Sequence, residues 1–408
     1  MFNRRQLLAS TAAIAVSGHA PLAFAADKPA IKVGSILAMT GIGSVYGILY
    51  NAALKLAIDD VNAAGGVNGS QLALLQEDDQ LQPSQSVLCF RKLMGEGAVV
   101  ELGPLTGTSW ETVAPIANAT KMPAICFTAS KAGISAPPYA LRIAPPDDTA
   151  IPEGVAEFIK LHPNVKKIAI AGDAQEASGA AGMELFARIA KESGLEVVAT
   201  ASYQTRTTDF SADAIKIRGA NPDAVFVSSL GPTSLPLVKE LEVQGFDKPI
   251  LLNSLVWAGA GFIHAVGTAG KNVFTIGFST NDPDPANPKY TNYVSRFIER
   301  TKTTTNLPQP INVCNTTLPY DTVFLVADIM RKAGIDGTTP PDKARELIRA
   351  GLDGLKSYQG INKITMRDTG DGHIKCHLLK ANAQTKQWEY ALAADKRITA
   401  PAAFKTRG

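Results

Sequence analysis

Apolar positions along residues 31–130 follow two alternating rhythms. Short apolar runs at 31–37, 71–76, 98–102 and 123–127 have the length of buried strands. Between them the apolar residues fall at helical spacing: Leu49, Ala53, Leu56, Ala57 and Val61 within 47–64, then 83–94, then a stretch with Val113, Ile116 and Ala117 on one face. Gly65-Gly66 stops the first helix, and Asn68-Gly69 turns the chain into the next strand. Strict strand–helix alternation predicts a parallel sheet covered by helices on both faces.

The rhythm breaks at 137–148, where Pro137-Pro138 and Pro145-Pro146-Asp147-Asp148 flank one short strand at 141–143. It then restarts. Strands are predicted at 167–171, 195–203, 224–228, 250–252 and 273–278, with helices at 179–192, 210–218 and 235–244. A Pro/Asp-rich run at 281–288 leads to helices at 290–301, 320–332 and 342–350, a tight turn at 368–372, and strands at 373–380 and 388–390. The fold class is therefore α/β, with two Rossmann-like lobes joined by crossing strands. Lobe 1 takes residues 26–146 plus 281–375, and lobe 2 takes 147–280 plus 376–408. Two similar lobes with several crossings form a hinge design with a ligand cleft between them.

The first 25 residues stand outside this pattern. Arg4-Arg5 precedes a mildly apolar run, and Ala23-Phe24-Ala25 supplies an A-x-A cleavage site, so residues 1–25 read as a signal peptide cleaved near Ala25. Arg4-Arg5-Gln6-Leu7-Leu8 resembles a twin-arginine signal, with Asn3 where Ser or Thr is usual; the general secretory route stays open. Export places the mature chain in the periplasm. Loss of Arg4 and Arg5 brings the formal charge down from +3 by two, which leaves no basic footprint for nucleic acid. Cys89, Cys126, Cys314 and Cys376 are too widely spaced for a metal knuckle. Cys89 and Cys126 lie in apolar contexts that suit buried free thiols.

In an open parallel sheet, ligands sit outside the carboxyl ends of the strands. Two rim loops there are rich in hydroxyls: 103–109 (Gly-Pro-Leu-Thr-Gly-Thr-Ser) and 128–130 (Thr-Ala-Ser). Thr108 and Glu111 have capping-box spacing, so a helix N-terminus opens at the first loop, and amides with a helix dipole favour a carboxylate. Capping alone is the commoner role for such hydroxyls. Catalytic patterns are missing: the histidines form no H-E-x-x-H, and neither G-x-S-x-G nor a phosphate-loop motif occurs. Gly41-Ile-Gly43 with Gly47 approaches a dinucleotide fingerprint, but its last glycine is one residue late and its loop is long. No enzymatic activity, cofactor or metal is expected.

The mature chain resembles the type I periplasmic binding proteins of the leucine/branched-chain amino acid receptor family, which serve ABC transporters. The residues that carry this are 31–35 with Thr40-Gly41 and Tyr46-Gly47, the helix end 57–69 (A-I-D-D-V-N-A-A-G-G-V-N-G), 103–109 and 123–130; Asp209-Phe210-Ser211, 221–224 and Tyr320-Asp321 add to them. The resemblance implies a monomeric two-lobed clamp that hands a small ligand to a permease in the inner membrane. It implies that the ligand carboxylate is held by Thr108, Ser109, Ala129, Ser130 and Lys131, with Thr106 in the same loop. Tyr46, Trp110, Leu230 and Trp257 would shape an apolar slot. Four positions depart from the family. Lys131 replaces the usual Thr or Ser, Ser254 replaces the acid that holds an α-ammonium, and small or apolar residues replace tyrosines near Ala177 and Leu230. Between Phe246 and Phe278 only Asp247 is acidic. The expected ligand is therefore an aromatic or aliphatic organic acid without an ammonium group. The alternatives are an amino acid whose ammonium meets Glu176 or Asp173, and a periplasmic sensor subunit.

Overall fold

The computed structural model describes residues 28–254, 260–398 and 405–407. The first sheet is built from β1 (Ile31–Leu37), β2 (Leu72–Asp78), β3 (Val100–Leu102), β4 (Ala124–Cys126) and β5 (Ala140–Arg142), all in parallel pairs in the order β2-β1-β3-β4-β5. Its helices are α1 (Ser44–Ala63), α2 (Pro83–Gly95) and α3 (Gly107–Thr120). After α4 (Asp147–Leu161) the second unit begins: β6 (Lys167–Asp173), α5 (Ala177–Glu192), β7 (Glu196–Tyr203), α6 (Ser211–Gly219), β8 (Ala224–Ser228), α7 (Gly231–Val243), β9 (Ile250–Leu252), α8 (Ala260–Ala265) and β10 (Val273–Gly277). Strands β8 and β10 are buried at every position, as parallel strands covered on both faces must be.

The remaining chain is shared. Helices α9 (Pro288–Thr304), α10 (Thr317–Lys332) and α11 (Pro341–Asp353) belong with the first unit, where α1 packs on α9 and α10. Arg296 and Arg300 of α9 pair with Asp60 and Asp59 at the end of α1. A small antiparallel sheet follows, β11 (Ser357–Gln359), β12 (Lys363–Met366) and β13 (Gly372–His373). Then β14 (His377–Asn382) and β15 (Gln387–Tyr390) extend the second sheet, whose order is β15-β14-β10-β9-β8-β6-β7. The predicted strand at 373–380 is thus two strands, one in each unit. Residues 405–407 return to the small sheet through a bridge between Arg367 and Thr406 and do not stay with the second unit, so the expected 376–408 segment is divided. Cys89, Cys126 and Cys376 are buried free thiols.

Strand order locates the cleft. In each sheet the chain reverses its winding once, between β1 and β3 in the first and between β6 and β8 in the second. Loops at such switch points diverge and leave a crevice at the carboxyl ends of the strands. The loops in question open α1, α3, α5 and α7, so four helix N-termini face one another across the lobes. The entry to α1 is tight: a Cβ added to Gly47 would lie 2.0 Å from the carbonyl oxygen of Ala38. Gly47→Ala is expected to cost about 1–3 kcal/mol in urea denaturation, as overpacking against rigid backbone does. Gly95→Ala, which meets nothing within 4 Å, should instead gain about 0.5–1 kcal/mol from the lower entropy of the unfolded chain.

Candidate functional site

The crevice holds two neighbouring chambers. The inner one, about 30 Å³, is lined by Tyr46, Tyr50, Leu81, Leu105, Thr106, Thr128, Leu230, Ser254 and Asn315. The outer one, about 280 Å³, shares Leu81, Thr106 and Leu230 and adds Gln80, Gln82, Ser84, Thr108, Gln175, Glu176, Thr205 and Arg206 among its walls. Among the described residues the inner wall is apolar with scattered hydroxyls and carries no charged side chain. The outer chamber lies near the lower end of the size of a small-molecule site, and the inner one is far smaller.

The rim helix α3 starts where hydroxyls were expected, but its cap differs. Thr106 is extended (φ −98°, ψ 156°) and its side chain accepts from the Ser109 amide at 3.2 Å. The Thr108–Glu111 capping box does not form, because Thr106 already holds the cap position. Glu111 pairs with Lys131 instead, Nζ to Oε1 2.5 Å. Thr108 turns across the cleft: its hydroxyl accepts from the amide of Ala177 at 2.9 Å, while Glu176 Oε1 accepts from the Thr108 amide at 3.3 Å. Glu176 Oε2 also accepts from Gly179 at 2.8 Å, which caps α5. Two helices from opposite lobes therefore cap each other. Burial pushes the Glu176 carboxyl up, opposed by the amides of Gly179 and Thr108. The small residues at 177–179, where tyrosine was expected, permit this approach. So does Gly107, whose added Cβ would lie 2.5 Å from Ser178 Oγ.

A second cross-lobe contact lies behind the inner chamber. Ser130 donates to Asp147 Oδ2 at 2.7 Å and Ser254 donates to Oδ1 at 3.1 Å, so one carboxyl joins a loop of each lobe. Asp147 begins α4, at the first crossing between lobes, and is buried. Burial raises its pKa to about 7, against the pull of the two hydroxyls and of Arg142. The expectation that no acid stands near Ser254 is thus corrected. Asp147 arrives from a distant crossing segment, and its only sequence signal was its place after Pro145-Pro146. Tyr46 makes a third link, its hydroxyl accepting from the Gly231 amide at 2.8 Å, and burial lifts its pKa to about 12.

Several expected site residues face elsewhere. Trp110 is fully buried in the lobe-1 core and donates to the Ile134 carbonyl at 2.7 Å, so it lines no slot. Ser109 is also fully buried, on the core side of α3, and borders neither chamber. The Ala129 amide points to Cys126 Sγ, and its carbonyl accepts from Arg142. Lys131 has its ammonium on Glu111 and its amide on Ser178 Oγ at 3.2 Å, so its charge is turned from the inner chamber. Tyr46, Thr106, Leu230 and Ser254 do meet around the inner chamber, and Thr108 borders the outer one. Trp257 lies outside the described residues. Tyr50, Leu81, Leu105, Thr128, Asn315 and Arg206 join the walls; Asn315, from the turn before α10, had no signal in the sequence.

A family model described as a periplasmic binding protein matches residues 30–384. A Leu/Ile/Val-binding protein of Rhizobium johnstonii is 25% identical over 370 residues, covering 88% of this chain and 92% of its own length. Among solved structures, a leucine-binding protein from Thermotoga maritima superposes with a TM-score of 0.77 at 18% identity, covering 89% of this chain and 98% of the other. A solute-binding protein of an ABC transporter from Rhodopseudomonas palustris, in complex with 3,4-dihydroxybenzoic acid, gives 0.73 at 20% identity, covering 88% and 95%.

Proposed function

The chain belongs to the type I periplasmic binding proteins of the branched-chain amino acid receptor family, and we propose that within it this protein captures a small organic acid, aromatic or aliphatic, in the interlobe chambers. After export it would hand that ligand to an inner-membrane ABC permease, acting as a carrier without chemistry of its own. The inner chamber carries the reading. Its leucines and tyrosines favour an apolar body, its hydroxyls satisfy isolated polar atoms, and among the described residues no ionised group stands on its wall to pair with an ammonium. An ammonium buried there without a partner would cost several kcal/mol. Relatives named for branched-chain amino acids and a fold neighbour holding a dihydroxybenzoate share this architecture, so the headgroup depends on this chain's own lining.

The amino-acid reading stays second, supported by Asp147. Its carboxyl is one hydroxyl behind the wall, and rotation of Ser254 would uncover it. Against this, burial favours its neutral form and both oxygens are already engaged. Competitive titration of matched pairs decides between the two: 3-phenylpropionate against phenylalanine, and 4-methylpentanoate against leucine. The acid is expected to bind at least tenfold tighter, about 1.4 kcal/mol. A tenfold preference for the amino acid would transfer the assignment to the second reading.

A further inference from the structure

We propose that closure of the two lobes takes up a proton on Glu176, at the seam between α3 and α5, so that acid favours the shut form and base favours the open one. This inference concerns the lobes themselves and stands whatever solute they hold. It begins from how the Glu176 carboxyl is covered. Glu176 is buried at the cap of α5, where its Oε2 accepts from the Gly179 amide at 2.8 Å within its own lobe. Its Oε1 faces the other lobe, 3.3 Å from the Thr108 amide and 3.5 Å from the Thr108 hydroxyl. Gly107 of α3 lies over the same oxygen, since a Cβ added there would be 3.2 Å from it. The first turn of α3 is thus the roof of this carboxyl, and separating the lobes removes the roof.

The charges around Glu176 are mostly of its own sign. Behind it, Asp173 ends β6 and is fully buried, with Oδ1 accepting from the amides of Gln175 and Glu176. Its Oδ2 has no hydrogen-bond partner among the described residues. From the first crossing, Asp147 is buried close enough for its carboxyl to feel the Glu176 charge. The nearby cations are engaged elsewhere: the Lys131 ammonium is on Glu111 and the Arg142 guanidinium is on Asp371. Arg206 shares the outer chamber wall with Glu176 and is the cation that opposes the effect. Tyr203 beside Asp173 and Cys376 beside Asp147 stay neutral, because burial pushes both groups up. Burial pushes the Glu176 carboxyl up as well, against the pull of the Gly179 and Thr108 amides. Opening hydrates it and returns it toward the ordinary carboxylate range. Between those two values the shut form holds a proton that the open form has lost, so rising pH draws the lobes apart. Below the lower value both forms are protonated, and above the upper one both are ionised, so the dependence levels off at each end. Solute affinity follows the same sense, because retention draws on the shut form.

The test is small-angle scattering of the full mature protein, without added solute, from about pH 4.5 to 8.5, on wild type, Glu176→Gln, Thr108→Val and Asp147→Asn. Each curve is resolved into open and shut forms. In the wild type the ratio of open to shut is expected to rise about tenfold across the range, the effect of one unit of pKa difference. Glu176→Gln has no proton to exchange and should hold that ratio within twofold. Thr108→Val loses the hydroxyl that accepts from the Ala177 amide but no charge, so it should open the protein at every pH and keep the tenfold rise. Asp147→Asn should keep most of the rise. A flat wild-type profile would overturn the inference. So would a full response surviving in Glu176→Gln, or one abolished by Asp147→Asn alone, which would move the proton to the crossing. Loss of the rise in Thr108→Val would make it a property of the hydrogen bonds and overturn the inference too.

Discussion

Arg142→Met is expected to destabilise the protein by about 3–5 kcal/mol, the loss seen when one partner of a buried ion pair is removed. Arg142 ends β5 and is fully buried, with its guanidinium 2.7 Å from Asp371 Oδ1. Its other arm donates to the carbonyls of Ala129 and Lys131. Asp371 is buried too, held further by Ser135 and Thr369. Methionine would leave a carboxylate in a low-dielectric interior with only hydroxyl partners, and two loop carbonyls without donors. Against a typical total of about 5–15 kcal/mol, that is a large share. Urea denaturation checks it, with Arg142→Met/Asp371→Leu as the companion. Removing both charges should cost clearly less than the single change, because no ion is stranded. A loss below 1 kcal/mol for Arg142→Met would show that the pair contributes little beyond surface strength. Because Arg142 holds the loop that carries Ser130, the variant should also disturb the contact to Asp147.

Asp147→Asn should change how stability depends on pH. The Asp147 pKa in the folded protein is raised from 3.8 to about 7 by burial. At low pH the group is protonated in both states and costs nothing. As pH rises through 4 the unfolded chain releases this proton while the native site keeps it, so wild-type stability falls until the native pKa near 7 is passed. The slope from this one group approaches about 1.4 kcal/mol per pH unit within that window. Asparagine has no proton to release. The stability of Asp147→Asn relative to wild type is therefore expected to improve by a few kcal/mol between pH 4.5 and 7.5, measured by urea unfolding. Other titrating groups cancel in the difference. A flat difference across that range would mean that Ser130, Ser254 and Arg142 already offset the burial.

Most of the architecture was legible because a buried parallel strand and an amphipathic helix each repeat a period several times over. What escaped was short or came from far away. Strands β11 to β13 are too brief to show alternation, and 373–380 reads as one strand although its middle residues cross between lobes. Trp110 is a different kind of miss. It shares the inward stripe of α3 with Val113, Ala114 and Ala117, at the spacing of one helical face. Proximity to a glycine-rich loop was weighed above that phase. Glu176 and Thr108 lie 68 residues apart, and Asp147 and Ser254 lie 107 apart. Such pairs exist only once two lobes have closed, and no local pattern encodes them. Arg206 follows a strand end that reads as an ordinary turn.

The mutual capping of α3 and α5 has a bearing on how fast and how tightly solute is taken up. Those bonds join the two lobes directly, so they add to the weight of the shut form in the equilibrium between open and shut. Solute enters only through the open form, and apparent affinity is the intrinsic affinity scaled by the open fraction. A molecule shut nine-tenths of the time would bind about tenfold more weakly than its contacts allow, and would load at about a tenth of the encounter rate. The same bonds act in the other direction after loading. A filled molecule must break them before it can leak its contents back to the surroundings, which lengthens the time available to reach a membrane partner. The few hydroxyls and one carboxyl at this seam therefore set a balance between scavenging dilute solute and retaining it in transit.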